Sequence, residues 1–330
     1  MKPMHSIQEL QQLVIDKLAE EASAIAITEP VNLYEPITYT LNMGGKRLRP
    51  AMLLMACDLF SGDIKNMLNA AVAVEVFHNF TLLHDDIMDH ADIRRNQPAV
   101  HKKYNENVAI LSGDAMSIMA YQYLLKINHP AIQEVTQLFS KTAMEVCEGQ
   151  QYDMDFEHRQ DVSIDEYLKM IRLKTAVLIA GSLKMGALLG GTDSDNADRL
   201  YRFGINMGLA FQLQDDLLDV FADQEKFGKK IGGDIVANKK TFLLLKALEI
   251  ASPKQKQALQ YWIEKDDFDP KEKIDAVRTI YTDLNLKEIS EQLAETYYQK
   301  ALNEIQAIEV ASERKEPLIL LAKTILKREH

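Results

Sequence analysis

None of the chain's nine prolines falls in the 122 residues between Pro130 and Pro253. Proline breaks a helix in its interior and cannot donate to a strand ladder. So long a stretch without it leaves helices free to run unbroken. Glycine is scarce as well: 14 glycines and nine prolines in 330 residues fall well short of the roughly 12% that is typical. A sheet-rich fold with many tight turns needs more of both. No segment of any length alternates with the two-residue period of a strand. The chain therefore reads as all-α, which excludes a sandwich, a barrel and a disordered protein.

Apolar residues recur at helical spacing over 6–27, then up to Leu41, where Gly44-Gly45 stops the helix. Pro30 and Pro36 bracket a connection before it. The same period predicts helices over 50–60, 65–90, 104–127, 131–156, 164–190, 195–222, 239–250, 253–264, 271–282, 284–308 and 313–328. Ser163, Asp193 and Ser252 are expected N-caps, because a short oxygen acceptor satisfies free N–H groups there, and Pro253 suits the first helical position. Residues 94–98 read as a polar loop. No linker or composition shift appears, so the expectation is one domain over 1–330.

At 47% hydrophobic the chain can bury a large core, and its net charge of −11 disfavours nucleic acid as a partner. Cys57 and Cys147 both sit in apolar helical patterns and are expected to be buried reduced thiols. The N-terminus lacks the apolar core of a signal peptide, and no run of about 18 uncharged apolar residues predicts a transmembrane segment. The expectation is a cytoplasmic protein.

Two acidic motifs stand out, His84-Asp85-Asp86-Ile87-Met88-Asp89 and Gln214-Asp215-Asp216-Leu217-Leu218-Asp219. Both spell D-D-x-x-D inside apolar helical sequence. Residues four apart share a helix face, so Asp85 points with Asp89 and Asp215 with Asp219. Three carboxylates in one and a half turns repel one another, so helix stability does not explain them. Such hard oxygen ligands suit Mg²⁺, which keeps several waters and bridges a few carboxylates to a substrate phosphate. Zinc would want Cys or His at tetrahedral spacing. One such motif alone is most simply a solvated face; two in apolar helices are not. By contrast, Asp266-Asp267-Phe268-Asp269-Pro270 lies in a polar stretch and reads as a loop and helix start.

Cations gather in particular places. Gly44-Gly45-Lys46-Arg47-Leu48-Arg49-Pro50 sets two glycines before three cations, which suits close backbone approach to an anion. Arg94-Arg95 follows the first motif. Lys174-Thr175 lies in apolar helical sequence, where a cation needs a partner. Gly228-Lys229-Lys230-Ile231-Gly232-Gly233-Asp234 and Asn238-Lys239-Lys240-Thr241 follow the second. Each cluster alone could be a solvated face. Cations collected beside metal-type carboxylates in an acidic chain point to diphosphate handling, with two diphosphates implied.

In this order, G-G-K-R-L-R-P, L-L-H-D-D-I-M-D, R-R-N-Q-P, K-T, F-Q-L-Q-D-D-L-L-D, G-K-K-I-G-G-D-I and N-K-K-T resemble the trans-isoprenyl diphosphate synthase (polyprenyl synthetase) family over about residues 30–328. The one departure is Asn96, where the family usually has glycine. The resemblance implies an all-helical isoprenoid synthase bundle around a deep central cavity, as a homodimer. It implies Mg²⁺-assisted head-to-tail condensation of an allylic diphosphate with isopentenyl diphosphate. Asp85, Asp89 and Asp215 would bind Mg²⁺, with Asp86, Asp216 and Asp219 supporting. Lys46, Arg49, His78 and Arg95 would form the isopentenyl diphosphate site. Arg94, Lys174, Thr175, Gln212, Lys230 and Lys239 would form the allylic site, with Arg328 closing over it. In the family, a bulky residue five before the first motif acts as a floor for short products. Phe80 fits that role and Phe77 lies deeper, at about 7.5 and 12 Å from Asp85 along a helix. Thr81, at the fourth position, is small. The pattern resembles a C20 synthase, with C15 next. On a helical wheel, however, Thr81 is nearer the face of Asp85 than Phe80 is, and both phenylalanines could be ordinary core. A terpene cyclase would normally carry a different second motif, and a non-catalytic subunit of a heteromeric synthase would be expected to lose an aspartate motif or the cationic clusters.

Overall fold

In a computed structural model, which describes residues 4–222 and 231–326, the chain is built almost wholly of helices. These are α1 (Ile7–Ile25), α2 (Val31–Asn42), α3 (Leu48–Leu59), α4 (Leu68–Met88), α5 (Val100–Lys103), α6 (Glu106–Leu125), α7 (Ile132–Glu157), α8 (Ile164–Ile171), α9 (Val177–Leu189) and α10 (Ser194–Phe221). After them come α11 (Gly233–Val236), α12 (Phe242–Ile250), α13 (Pro253–Glu264), α14 (Pro270–Asp283), α15 (Leu286–Gln306) and α16 (Ser312–Leu326). The expected caps close as the local chemistry dictates. Ser163 and Ser252 form capping boxes with Glu166 and Gln255, and Pro253 takes the first turn of α13. Asp193 accepts from the Asn196 amide at 2.9 Å. Asp269 caps α14 ahead of Pro270, so the third acidic run is a helix start, as its sequence suggested.

Four expectations need correcting. Pro36 lies inside α2, where the missing N–H costs the helix a single bond. Residues 93–98 form a two-stranded antiparallel ribbon, Ile93 opposite Pro98 and Arg94 opposite Gln97. The helix expected over 164–190 is interrupted by a π turn at Arg172–Ala176. Cys57 is buried, but Cys147 is exposed, because the buried face of α7 there is carried by its neighbour Val146.

The chain divides into two compact units. The first comprises residues 1–141, 181–201 and 308–318. Its centre is α4, whose residues from Ala70 to Phe77 are all buried. A helix apolar on every side belongs inside a core, and α4 packs along α6. Among the described residues α6 is also the one helix long and apolar enough to cross a membrane by composition. The second unit comprises residues 142–180, 202–307 and 319–330. One part of its core joins Phe156, Tyr167, Ile171, Leu213 and Phe242, and another joins Leu217, Leu243, Leu259 and Tyr281.

Candidate active site

In the first unit the last turn of α4 carries the first acidic motif. Asp86 is buried and its Oδ1 accepts from Arg94 Nε at 2.8 Å and from Arg94 Nη2. Arg94 Nη2 also lies 3.5 Å from Asp85 Oδ2. Burial pushes the Asp86 carboxyl up, and Arg94 pulls it back down. Asp85 is half-buried and Asp89, the C-cap of α4, is exposed. Arg94 reaches back because the ribbon turns the chain at once, with Arg95 and Asn96 both at positive φ (51° and 60°). Asn tolerates that conformation well; a residue such as Arg does so at a cost of about 1 kcal/mol. Arg95 is held there by Gly44 O and, at 3.3 Å, by Asn79 Oδ1. Gly45 (φ 126°) is required beneath it: a Cβ there would lie 2.8 Å from the Arg95 guanidinium carbon.

Behind these groups is a buried network that sequence reasoning missed. Arg47 donates to Glu75 Oε1 at 2.5 Å and to Leu41 O at 2.6 Å. Asn79 Nδ2 donates to the same Glu75 oxygen at 3.0 Å, which turns its Oδ1 toward Arg95. The available signal was a Glu and an Asn four apart in an apolar helix, an expensive pair unless satisfied. Arg49 Nη1 and His78 Nε2 are 3.1 Å apart. Burial, followed by the charges of Arg49, Arg95, Arg94 and Arg47, holds the His78 imidazole well below its usual range. It is therefore neutral and its Nε2 accepts from Arg49. Arg49, whose guanidinium burial pushes down to about 10, remains a cation at neutral pH. Lys46 is exposed on the preceding loop. Phe77 packs on Phe139 and Phe80, with ring centroids 5.2 and 5.4 Å apart, while Phe80 also stacks on His84 at 4.8 Å. Phe77 is thus core, and Phe80 is half-buried at its edge, beside half-buried Thr81.

In the second unit a cleft of about 300 Å³ gathers Asp215, Asp216, Asp219, Lys174, Thr175, Gln212 and Lys239, together with Asp153, Tyr167, Asp234 and Lys240. Most of the second-motif expectations converge here; Lys230 and Arg328 lie outside the described residues. Lys174 finds the partner its apolar setting demands in Asp153, at 2.6 Å. The π turn that carries Lys174 and Thr175 sits tightly against α7, where a Cβ on Gly149 would come within 2.2 Å of the Lys174 amide nitrogen. Thr175 Oγ1 donates to Gln212 Oε1 at 3.2 Å, and Gln212 Nε2 donates to Asp216 Oδ1 at 2.8 Å. Tyr167 Oη donates to the other oxygen, Asp216 Oδ2, at 2.5 Å. Burial, then the nearby Asp234, push the Asp216 carboxyl up to about 8. Asp219 accepts from the Asp234 amide at 3.0 Å, and its carbonyl takes the Gly232 amide at 2.7 Å. The third aspartate therefore anchors the segment that leads to Lys239. No local pattern marks Tyr167 or Asp153, because their partners lie 49 and 21 residues away.

The donor set around both motifs is carboxylate oxygen. Among the described residues no three His, Cys, Asp or Glu side chains converge on a metal position; carboxylate oxygen is nonetheless the hard donor type that Mg²⁺ takes. The middle aspartates are met by Arg94 and by Tyr167 with Gln212.

The sequence profile of the polyprenyl synthetase family matches residues 30–281, and the chain belongs to that family. A geranylgeranyl diphosphate synthase of Methanosarcina mazei is 45% identical over 227 residues, 68% of this chain and 70% of that protein. A crystal structure of geranylgeranyl pyrophosphate synthase superposes with a TM-score of 0.93 at 44% identity, covering 99% of this chain and 100% of that one. A polyprenyl synthase from Caulobacter crescentus, complexed with calcium and isoprenyl diphosphate, superposes with a TM-score of 0.87 at 26% identity, covering 100% of both chains.

Proposed function

We propose that this polyprenyl synthetase acts as one catalytic domain that condenses an allylic diphosphate with isopentenyl diphosphate, head to tail, to a C20 product. The observation that carries the reading is the second-unit cleft, where Lys174, Lys239 and Lys240 meet the D-D-x-x-D motif. Lysines placed so can bind a diphosphate and stabilise the charge that develops on it as the allylic C–O bond breaks. Asp85, Asp89 and Asp215 would hold Mg²⁺, which when bound neutralises charge on the leaving group. The Thr175–Gln212–Asp216–Tyr167 chain holds the Asp216 side chain next to Asp215 in the motif. In the first unit, Arg49, Arg95 and Lys46 are read as the isopentenyl diphosphate site. Neutral His78 orients Arg49 there by accepting its hydrogen bond and adds no charge of its own. The allylic cation that remains is attacked by the isopentenyl double bond, and proton loss, with the departing diphosphate as base, completes the product.

The C20 length rests on Phe80 as a floor, supported by its ring contacts with Phe77 and His84 and by likeness to the Methanosarcina mazei enzyme. The same reading has the enzyme act in the cytoplasm as a homodimer. Leu111, Ile118 and Leu125, seven residues apart on α6, are all exposed. Such an apolar stripe on one helix face fits a second copy of the chain.

The test is one preparation of purified protein with Mg²⁺, isopentenyl diphosphate and each allylic primer in turn. A C20 diphosphate and a particle mass of two chains are expected, and Phe80→Ala should lengthen the product. No product with any primer would favour a non-catalytic subunit, and a cyclic hydrocarbon would favour a terpene cyclase.

A further inference from the structure

Lys273 is unusual in this molecule. Its side chain lies on α14 with a relative exposure of 1%, yet among the described residues no carboxylate pairs with it. Its Nζ donates to Asn238 Oδ1 at 2.7 Å and to Val236 O at 3.3 Å, and sits 4.1 Å from the Phe268 ring centre. A buried cation with only neutral partners is costly, and a Met of similar length would fill the same space without that cost. The space beside it is small: a cavity of only about 20 Å³ adjoins Lys273, Asn238, Lys239 and Trp262, room for a single water.

What the amine holds is a turn. Asn238 has φ 53°, and its Nδ2 is tied to Ile263 O at 3.1 Å. The next two residues are Lys239 and Lys240, which line the second-unit cleft. Lys240 Nζ lies 3.4 Å from Asn238 O. The segment is anchored at its start by Asp219, through the Gly232 and Asp234 amides, and at its turn by Lys273.

We infer that Lys273 is a positioning residue for the diphosphate cleft: it fixes the left-handed turn at Asn238 and so aims Lys239 and Lys240 at the allylic diphosphate, which it does not itself touch. This rests on the proposed assignment of that cleft. The experiment compares Lys273→Met, Asn238→Ala, the double variant and Lys239→Ala, measuring KM separately for dimethylallyl diphosphate and for isopentenyl diphosphate. Lys273→Met is expected to raise the allylic KM about tenfold, with the isopentenyl KM within twofold. Asn238→Ala should do the same, and the double variant should fall clearly short of the sum of the two, because both break the Lys273–Asn238 contact. Equal shifts in both KM values, or a lower melting temperature with neither shifted, would make the lysine merely structural and overturn the inference. If Lys273→Met does not fold, Asn238→Ala decides: an unchanged allylic KM overturns it. Lys239→Ala separates the two levels. If it leaves the allylic KM unchanged, the cleft assignment falls and the inference with it. If it raises that KM while Lys273→Met does not, only the clamp falls.

Discussion

Asp86 and Asp216 are the middle residues of the same D-D-x-x-D pattern, both buried, yet one is met by a guanidinium and the other by a phenol and an amide. Around Asp86 the cations are arginines, and Arg47 is itself paired with a buried glutamate. Around Asp216 the nearest charges include further carboxylates, Asp234 and Asp215, and its own carboxyl is pushed up to about 8. The first region therefore carries its counter-charge within the protein. The second sets carboxylates beside one another, with its lysines, Lys174, Lys239 and Lys240, elsewhere in the same cleft. One spelling thus serves two electrostatic solutions.

The largest expected effect tests what the two regions share. Asp85→Ala and Asp215→Ala should each lower turnover by about 10³-fold or more if both motifs hold Mg²⁺. Near-normal steady-state rates in either folded variant would sink the metal assignment for that motif.

A smaller effect tests how they differ. Asp86→Asn removes the charge opposite Arg94 and should cost about 1–3 kcal/mol of stability. Asp216→Asn replaces a carboxyl already disposed to be neutral at pH 7 and should cost under about 1 kcal/mol. Denaturant unfolding of the metal-free proteins measures both, and equal losses would erase the contrast.

The smallest effect is one of pH. Asp216 has a folded value of about 8 against an ordinary 3.8, so between those values the folded state keeps a proton that the unfolded chain releases. Its contribution to stability is present at low pH and is lost as pH rises through about 8. Asp234, pushed up to about 6 chiefly by burial, adds to the loss at the lower end of that window. His78 runs the other way. Its folded value lies well below 6.5, so as pH falls below 6.5 the unfolded chain takes a proton that the folded state refuses, and stability drops. Melting temperatures in chelator from pH 5 to 8 should lose their fall on the alkaline side in Asp216→Asn and their fall on the acid side in His78→Asn. Profiles parallel to the parent would show that neither group titrates as described.

Most helices were legible because apolar spacing and cap chemistry are local. Ser163, Ser252 and Asp269 act on amides three residues away. The π turn at Lys174 was not, since its close approach to Gly149 is a tertiary contact. Nor was the ribbon at 93–98, which is too short for a strand period to register. In the site, the outer aspartates and the cations carried their chemistry in their spelling. Their supports did not: Glu75, Asn79, Tyr167, Asp153 and Lys273 read as unremarkable residues until the fold supplied partners.

The sequence by itself determined the helical class, the two acidic motifs and the diphosphate chemistry their neighbours imply, because periodicity and ligand type are properties of short windows. Only the tertiary structure decided which carboxylate is met by arginine, which by a phenol and an amide, and which lysine is buried against a turn. Those outcomes depend on desolvation and on pairs brought together across tens of residues. A buried charge takes its meaning from its nearest partner in space.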